Sequence, residues 1–366
     1  GAWAIQLAPK GLPLDTAAQL PFIALLGLTL AATWYAVYAL ARTPAAQPVS
    51  FAFGGEAKPA DYARAIADGG LLALLACLGL ARLSHEATPA LAQLSFSALL
   101  FFALANLARK RMTSLFCAAL AIMGLALSGA PALAMILGAG GAMVIALDTG
   151  QPQSLRVRKV DVAWVLIFCL ATAAITSGLD LWRWRVASSH LFEIQAMARL
   201  LLWFTWPAWP LALWTLWRWR YQLKSISANP HLSLPLWFML VGIATTWMSG
   251  LSDRALLISL PALATLAAFA LPTLKRSLSA FIDWFTLLFF SVGALIIWTV
   301  WLSMQTGFPA QPAINVARLA PGFVLQFSLT AFILASLATL AWAGLVRWRA
   351  GRHRSALWKS MVLPAS

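Results

Sequence analysis

The sequence predicts an all-α protein, a polytopic bundle of transmembrane helices with about eleven spans. Three observations lead there. Of 366 residues, 61% are hydrophobic and only 10% charged, whereas a soluble domain carries about 25% charged residues. Apolar runs of roughly 20 residues, the length that crosses a bilayer as a helix, recur along the chain. Short polar or cationic stretches separate them, and no series of ~10-residue alternating strands suggests a membrane barrel.

The elements follow in order. Residues 1–20 are a polar, Pro-containing lead-in with Lys10 and Asp15. A first span, 21–41, ends at Arg42; residues 43–68, with Pro, Gly and mixed charge, read as a surface connection. Spans two (69–83) and three (89–107) flank the turn Arg82-Leu-Ser-His85-Glu86-Ala-Thr88-Pro89, and Arg109-Lys110-Arg111 closes the third. Spans four (112–127) and five (132–147) form a tight pair around Ser128-Gly129-Ala130-Pro131. A basic loop with Arg156, Arg158 and Lys159 leads to span six, 162–177. In the loop 178–199, Ser188-Ser189-His190-Leu-Phe-Glu193 has the makings of a short capped helix lying on the membrane. Span seven, 200–217, holds Pro207 and Pro210 and should be kinked. Span eight (234–248) and span nine (255–271) enclose the turn Ser249-Gly-Leu-Ser252-Asp253-Arg254. After Lys275-Arg276 comes span ten, 281–304, long enough to tilt. A Pro-rich loop, 306–320, carries Arg318; span eleven is 322–346, and residues 347–366 form a basic segment.

The net charge is +15. Nucleic acid is not the implied partner, because the cations sit in small clusters between apolar runs. The turns after the odd-numbered spans, with the tail, hold 19 Lys and Arg; the opposite face holds 7. The positive-inside rule puts the larger set in the cytoplasm. The lead-in, the loop 178–199 and the turns bearing Arg82, Asp253 and Arg318 then face outward. Cys77, Cys117 and Cys169 lie in apolar runs without metal-ligand spacing, and no disulfide is inferred. The chain starts at Gly1, shows no cleavable signal and stops without a terminal feature, so it reads as a fragment cut at both ends.

Charged residues packed between two spans require a reason. Glu86 and His85 read either as parts of a well-capped turn, with Thr88 as N-cap and Pro89 as first helical residue, or as side chains aimed into a cavity. There Glu86 would be a metal ligand, substrate ligand or general base. Asp253-Arg254 reads as a local ion pair on a solvated turn, or Arg254 is a phosphate clamp. Arg318 is either solvated or a second phosphate contact. Leu-Trp-Arg-Trp-Arg occurs at 181–185 and 216–220, and both copies suit interfacial anchors. Walker, dinucleotide-fingerprint and His-Glu-x-x-His motifs are missing. The spans are nearly free of ionisable groups, Asp283 being the main exception. That favours chemistry at one face over passage through the bilayer, although a polytopic transporter, a lipid flippase or a structural membrane subunit remains an alternative.

Three stretches resemble the integral-membrane GT-C glycosyltransferases of family 39, the protein O-mannosyltransferases and aminoarabinose lipid A transferases. They are residues 21–42, ending Trp34-Tyr35-Ala-Val-Tyr38-Ala-Leu-Ala-Arg42; the turn Ser84-His85-Glu86-Ala-Thr88-Pro89, where the family keeps an acid; and residues 237–268, with Ser249-Gly-Leu-Ser252-Asp253-Arg254 before Leu260-Pro261-Ala262. The resemblance implies a multi-pass enzyme of the bacterial inner membrane with a periplasmic active face. It would move a sugar from a polyprenyl-phosphate donor to a lipid A, glycan or protein acceptor. Arg254, Arg318 and Arg82 would contact the donor phosphate. Glu86, with His85, would be catalytic, and a divalent metal would be held partly by Glu86. The family's principal catalytic Asp lies in an earlier external loop, so residues 1–20 would be that loop's tail and the fragment alone inactive.

Overall fold

The structure is a computed structural model describing residues 14–47, 58–150, 154–182, 194–274, 276–322 and 327–350. Among the described residues every regular element is a helix, and six helices are long and apolar enough to cross a membrane. The protein is thus an all-α bundle of apolar helices. The chain divides into two compact units, one ending at Thr273 and the other beginning at Leu274.

The first unit contains α1 (Leu14–Ala41), α2 (Pro59–Ala76), α3 (Leu78–Leu83), α4 (Pro89–Asn106), α5 (Arg111–Leu127), α6 (Pro131–Leu147), α7 (Leu155–Gly178), α8 (Ile194–Phe204), α9 (Ala208–Arg218), α10 (Pro230–Met248), α11 (Asp253–Leu256) and α12 (Leu260–Ala268). A short 3-10 turn, Leu257–Ser259, makes α11 and α12 nearly continuous, so Asp253–Thr273 is one span-length segment. The second unit holds α13 (Arg276–Thr306), α14 (Ala310–Leu319) and α15 (Leu329–Ala350).

Several sequence expectations are corrected. Helix α1 reaches back to Leu14 with Pro21 inside it. Residues 59–68 are not a surface loop but the start of α2, where Tyr62, Ala63, Ile66 and Ala67 are buried. With Gly70 and Leu74 these residues make a stripe at helical spacing, and Asp61 and Arg64 mask it in composition. The expected second span breaks at Cys77, whose backbone is extended (φ −61°, ψ 121°). Leu78 donates its freed N–H to the carbonyl of Trp206 at 3.0 Å, so the break leaves no orphan there. The expected seventh span bends as its prolines suggest, with α8 and α9 separated at residues 205–207. Arg156, Arg158 and Lys159 sit in the first turns of α7, not in a loop. The 306–320 stretch is largely helix: Pro312 falls in the first turn of α14, where no N–H is required. Helices α5 and α6 have 17 residues each and rise about 26 Å, just short of the ~30 Å hydrocarbon core. The capped helix expected at 188–193 lies outside the described residues, as do the side chain of Asp283 and most of the first Leu-Trp-Arg-Trp-Arg copy. In the second copy, Arg220 lies 5.1 Å over the Trp217 ring and 4.6 Å over Tyr221.

Polar bonds across the apolar bundle set the register of the first unit. Ser95 Oγ donates to the Leu25 carbonyl at 2.8 Å, and Asn106 Nδ2 to that of Tyr35 at 3.4 Å. These contacts make α1 and α4 parallel neighbours, with the chain returning between them through α2 and α3. Thr215 Oγ1 bonds the Leu266 carbonyl at 2.7 Å, joining α9 to α12. Small residues let helices approach: a Cβ on Gly140 would lie 2.0 Å from the Trp237 ring, and one on Gly242 would lie 2.9 Å from the backbone of Ser259. At the end holding the turn between α4 and α5, Arg111 pairs with Asp161 of α7 at 2.5 Å, and Thr149 N–H bonds the Ser227 carbonyl at 2.8 Å. The opposite end holds the turn from α3 to α4 and the turn from α10 to α11.

Candidate functional site

Two turns distant in sequence meet at that opposite end. After α10 the chain reverses through Gly250 (φ 73°) and Leu251 (φ 61°), both left-handed, with Leu251 N–H bonding the Thr246 carbonyl at 3.0 Å. That closes the helix in the manner of a C-terminal glycine cap. A non-glycine residue in this region costs about 1–2 kcal/mol, so Leu251 is a strained point beside Arg254. The reversal starts α11 at Asp253, an acid in the first turn where the helix end favours it. The segment 257–259 packs on α4, which brings Arg254 to the turn that starts α4.

That turn is tight. Glu86 N–H bonds the Leu83 carbonyl at 3.2 Å, and Thr88 N–H bonds that of Glu86 at 2.9 Å. Thr88 has the extended backbone of an N-cap (φ −116°, ψ 157°) and Pro89 takes the first helical position, yet the Thr88 side chain makes no capping bond. The turn is shaped as the sequence suggests, but the Thr88 hydroxyl does not hold it.

The charges pair across the two turns. Arg254 Nε donates to Glu86 Oε2 at 2.9 Å, and Arg82 Nη1 stands 4.0 Å from Asp253 Oδ2. Of the two readings of the Asp253-Arg254 turn, the local ion pair is not the contact made: both residues pair across the turns, with Asp253 acting on Arg254 only through its charge. The Arg254 hydrogen bond, then the charges of Arg254, His85 and Arg82, hold the Glu86 carboxyl below the usual range against partial desolvation. Arg82 also lies 5.3 Å over the ring of Trp203 on α8. Gly79, one turn earlier on α3, makes room for the neighbouring Phe204: a Cβ there would lie 2.3 Å from that ring. So α3 lies close on α8, and the Trp203 face orients the guanidinium. Both arginine side chains remain more than half exposed, at 60% for Arg82 and 54% for Arg254.

Of the residues singled out in the sequence, Arg82, Glu86 and Arg254 are brought together, and His85 is exposed beside Glu86. Arg318 belongs to the second unit, where it is exposed in the last turn of α14. Sequence reasoning missed Trp203, since one of 19 tryptophans in an apolar run carries no local mark.

Among the described residues, no group of three or more His, Cys, Asp or Glu gathers to hold a metal ion. Glu86 and Asp253 each face a guanidinium. Among the described residues this donor set, paired in this way, does not fit a divalent cation. What the arrangement offers is two guanidinium groups with free N–H faces beside carboxylates that can exchange for an anionic oxygen. No family model matches the chain, and the comparisons with curated proteins and with solved structures find no match either.

Proposed function

We propose that the protein is a multi-pass glycosyltransferase of the GT-C kind, with about eleven spans, in a bacterial inner membrane. It transfers a sugar from a polyprenyl-phosphate donor to a lipid A, glycan or protein acceptor at the periplasmic face. The observation that carries this reading is the crossed pairing of Arg254 with Glu86 and Arg82 with Asp253 at one end of an apolar bundle. The sequence resemblance supplies the donor class. In the proposed reaction the acceptor oxygen attacks the anomeric carbon, and the bond from that carbon to the phosphate oxygen breaks. The phosphate leaves with the electron pair, and guanidinium groups stabilise its growing charge. Arg254 turns from Glu86 to the phosphate. Glu86, freed from the contact that lowers its pKa, becomes a better base and takes the acceptor's proton.

The test measures binding of a polyprenyl phosphate to the protein in lipid nanodiscs, then sugar transfer by the protein together with the earlier external loop that the resemblance implies. Arg254→Ala should weaken binding about tenfold or more, and Arg254→Lys less. Glu86→Gln should tighten binding, because it releases Arg254, while lowering transfer. Unchanged binding in Arg254→Ala would remove the donor site.

A specific observation favours a second reading, a transporter or flippase. Asp161 is buried at 1% exposure within the span-length helix α7 and pairs with Arg111. Buried ionisable groups in spans mark ion or substrate paths. Movement of labelled lipid across proteoliposomes, abolished in Asp161→Asn, would favour it.

A further inference from the structure

The first unit carries a second cationic cluster at its other end, built differently from the one at Glu86. Arg42 follows α1 directly and lies 5.6 Å over the ring of Tyr38, one turn earlier. Tyr38 stacks on Trp34 at 5.4 Å with planes 6° apart, and Trp34 Nε1 donates to Asp68 at 2.8 Å. Arg109 and Lys110 occupy the turn from α4 to α5, where both backbone N–H groups bond the Asn106 carbonyl at 2.9 Å. Asn106 also ties this turn to α1 through Tyr35. Because α1 and α4 run parallel, their ends bring Arg109 within electrostatic reach of Arg42 and Tyr38. Desolvation first, then the Arg42 charge, holds Arg109 below the ordinary guanidinium range, with Tyr38 opposing. Among the described residues neither Arg42 nor Arg109 has an ion-pair partner. Asp68 is engaged by Trp34, Asp61 by Arg64 and Asp161 by Arg111.

Two like charges held at neighbouring helix ends repel each other; the Tyr38 ring beneath Arg42 opposes this in part, and among the described residues no carboxylate pairs with either arginine. A bound anion would offset the rest. The surroundings say which kind. Trp34, Tyr35 and Tyr38 form an aromatic group of the sort that sits at headgroup level. From the same turn, Met112, Phe116 and Leu120 descend α5 at successive turns, 75%, 70% and 48% exposed. A free phosphate would use only the cations. A lipid would use the cations and the apolar stripe together.

We propose that Arg42 and Arg109, assisted by Lys110 and the Tyr38 hydroxyl, bind the phosphate of an anionic phospholipid whose acyl chains lie along Met112, Phe116 and Leu120. This site does not depend on the glycosyltransferase reading. It is an attachment of the bundle to one leaflet, the one that the positive-inside rule makes cytoplasmic.

The test is native mass spectrometry of the purified protein, titrated with phosphatidylglycerol or phosphatidylcholine. Phosphatidylglycerol should be retained and phosphatidylcholine lost. The Arg42→Ala/Arg109→Ala double variant should retain phosphatidylglycerol about thirtyfold more weakly, whereas the Arg42→Lys/Arg109→Lys pair should keep most of the affinity. Arg64→Ala, at the same end but already paired with Asp61, should change nothing. Inorganic phosphate at the same concentration should not displace the lipid. Thermal unfolding of each variant in phosphatidylcholine nanodiscs checks the fold. Wild-type retention in the double alanine variant, or equal retention of phosphatidylcholine, overturns the proposal. Displacement by inorganic phosphate would make this a free-phosphate site and overturn the lipid assignment.

Discussion

Gly242 lets α10 approach the segment that carries Arg254, and Gly242→Ala should destabilise the protein although alanine is the better helix former. An added Cβ would lie 2.8 Å from Ser259 Cβ, 2.9 Å from its backbone nitrogen and 3.0 Å from its Cα. Those distances fall short of the 3.4 Å at which ordinary contact begins by about 0.4–0.6 Å. Ser259 cannot yield cheaply. It is 2% exposed, its Oγ bonds the Leu256 carbonyl at 2.7 Å, and Leu256, Leu257 and Ile258 around it are buried. Overpacking of this kind costs about 1–3 kcal/mol, and the helix-propensity gain offsets about 0.5–1 kcal/mol. A net loss centred near about 1 kcal/mol follows. Gly27, in the interior of α1, supplies the control, since a Cβ there meets nothing within 4 Å. Gly27→Ala should therefore stabilise by about 0.5–1 kcal/mol. Thermal unfolding of both variants in the same nanodiscs reads the two signs. If Gly242→Ala raises the transition temperature as Gly27→Ala does, the close approach of α10 to Ser259 is wrong, and with it the placement of Arg254.

Arg111→Ala leaves the Asp161 carboxylate buried without that partner and should cost about 2–3 kcal/mol, at or below the usual cost of breaking a buried pair because Arg111 is 39% exposed. Lys110→Ala, one residue earlier, should stay within about 0.5 kcal/mol, and equal losses in the two would refute the pair's importance. Leu251→Gly should raise stability by about 1 kcal/mol by removing the left-handed strain; a fall in thermal unfolding temperature would contradict that backbone. In a cysteine-free background, an impermeant maleimide added outside cells should label Ala87→Cys and spare Ala108→Cys, and the reverse pattern would invert the orientation. The Glu86 pKa is lowered in the folded state, so its pairing with Arg254 contributes at all pH values above the ordinary carboxylate range and is lost only as pH falls through the lowered value. Infrared difference spectra of wild type against Glu86→Gln should show that carboxylate still ionised where a free glutamate is half protonated.

The fold class was legible because hydropathy is a property of each run by itself. Boundaries were legible where a turn signal such as Ser128-Gly129-Ala130-Pro131 separates two helices, and otherwise where charge and helix end coincide. They do at Arg42, which follows α1. They do not at Arg156, Arg158 and Lys159, which occupy the first turns of α7, where long cationic stems can reach past the helix end to water. The start of α2 was hidden because Asp61 and Arg64 lie among the alanines of a buried stripe, and composition outweighed spacing in the reading. Without a Pro, and with the nearby Gly79 already inside α3, the break at Cys77 is not announced locally. It depends on the Trp206 carbonyl, more than a hundred residues away, accepting the Leu78 N–H. The candidate site divides the same way. Glu86, Arg82 and Arg254 stood out singly, as charges beside apolar runs. Their pairing could not be read, because 168 residues separate Glu86 from Arg254 and the nearer Asp253 offered a simpler partner.

The two arginine clusters of the first unit, Arg82 with Arg254 and Arg42 with Arg109, are paired differently, and the difference bears on what each can bind. At the Glu86 end each arginine faces a carboxylate, so the four charges of Arg82, Glu86, Asp253 and Arg254 cancel formally. An anion arriving there must exchange with a carboxylate, and the lost pairing offsets part of the new one. Affinity is then modest and release is easy, which suits a ligand that comes and goes. At the other end Arg42 and Arg109 repel each other, and among the described residues neither has an ion-pair partner. An anion there removes a repulsion as well as adding attractions, so it should stay. A donor phosphate in transit fits the first arrangement and a resident lipid the second. Reversing the assignment would require the paired cluster to hold its ligand against Glu86, and the unpaired cluster to release one that relieves it.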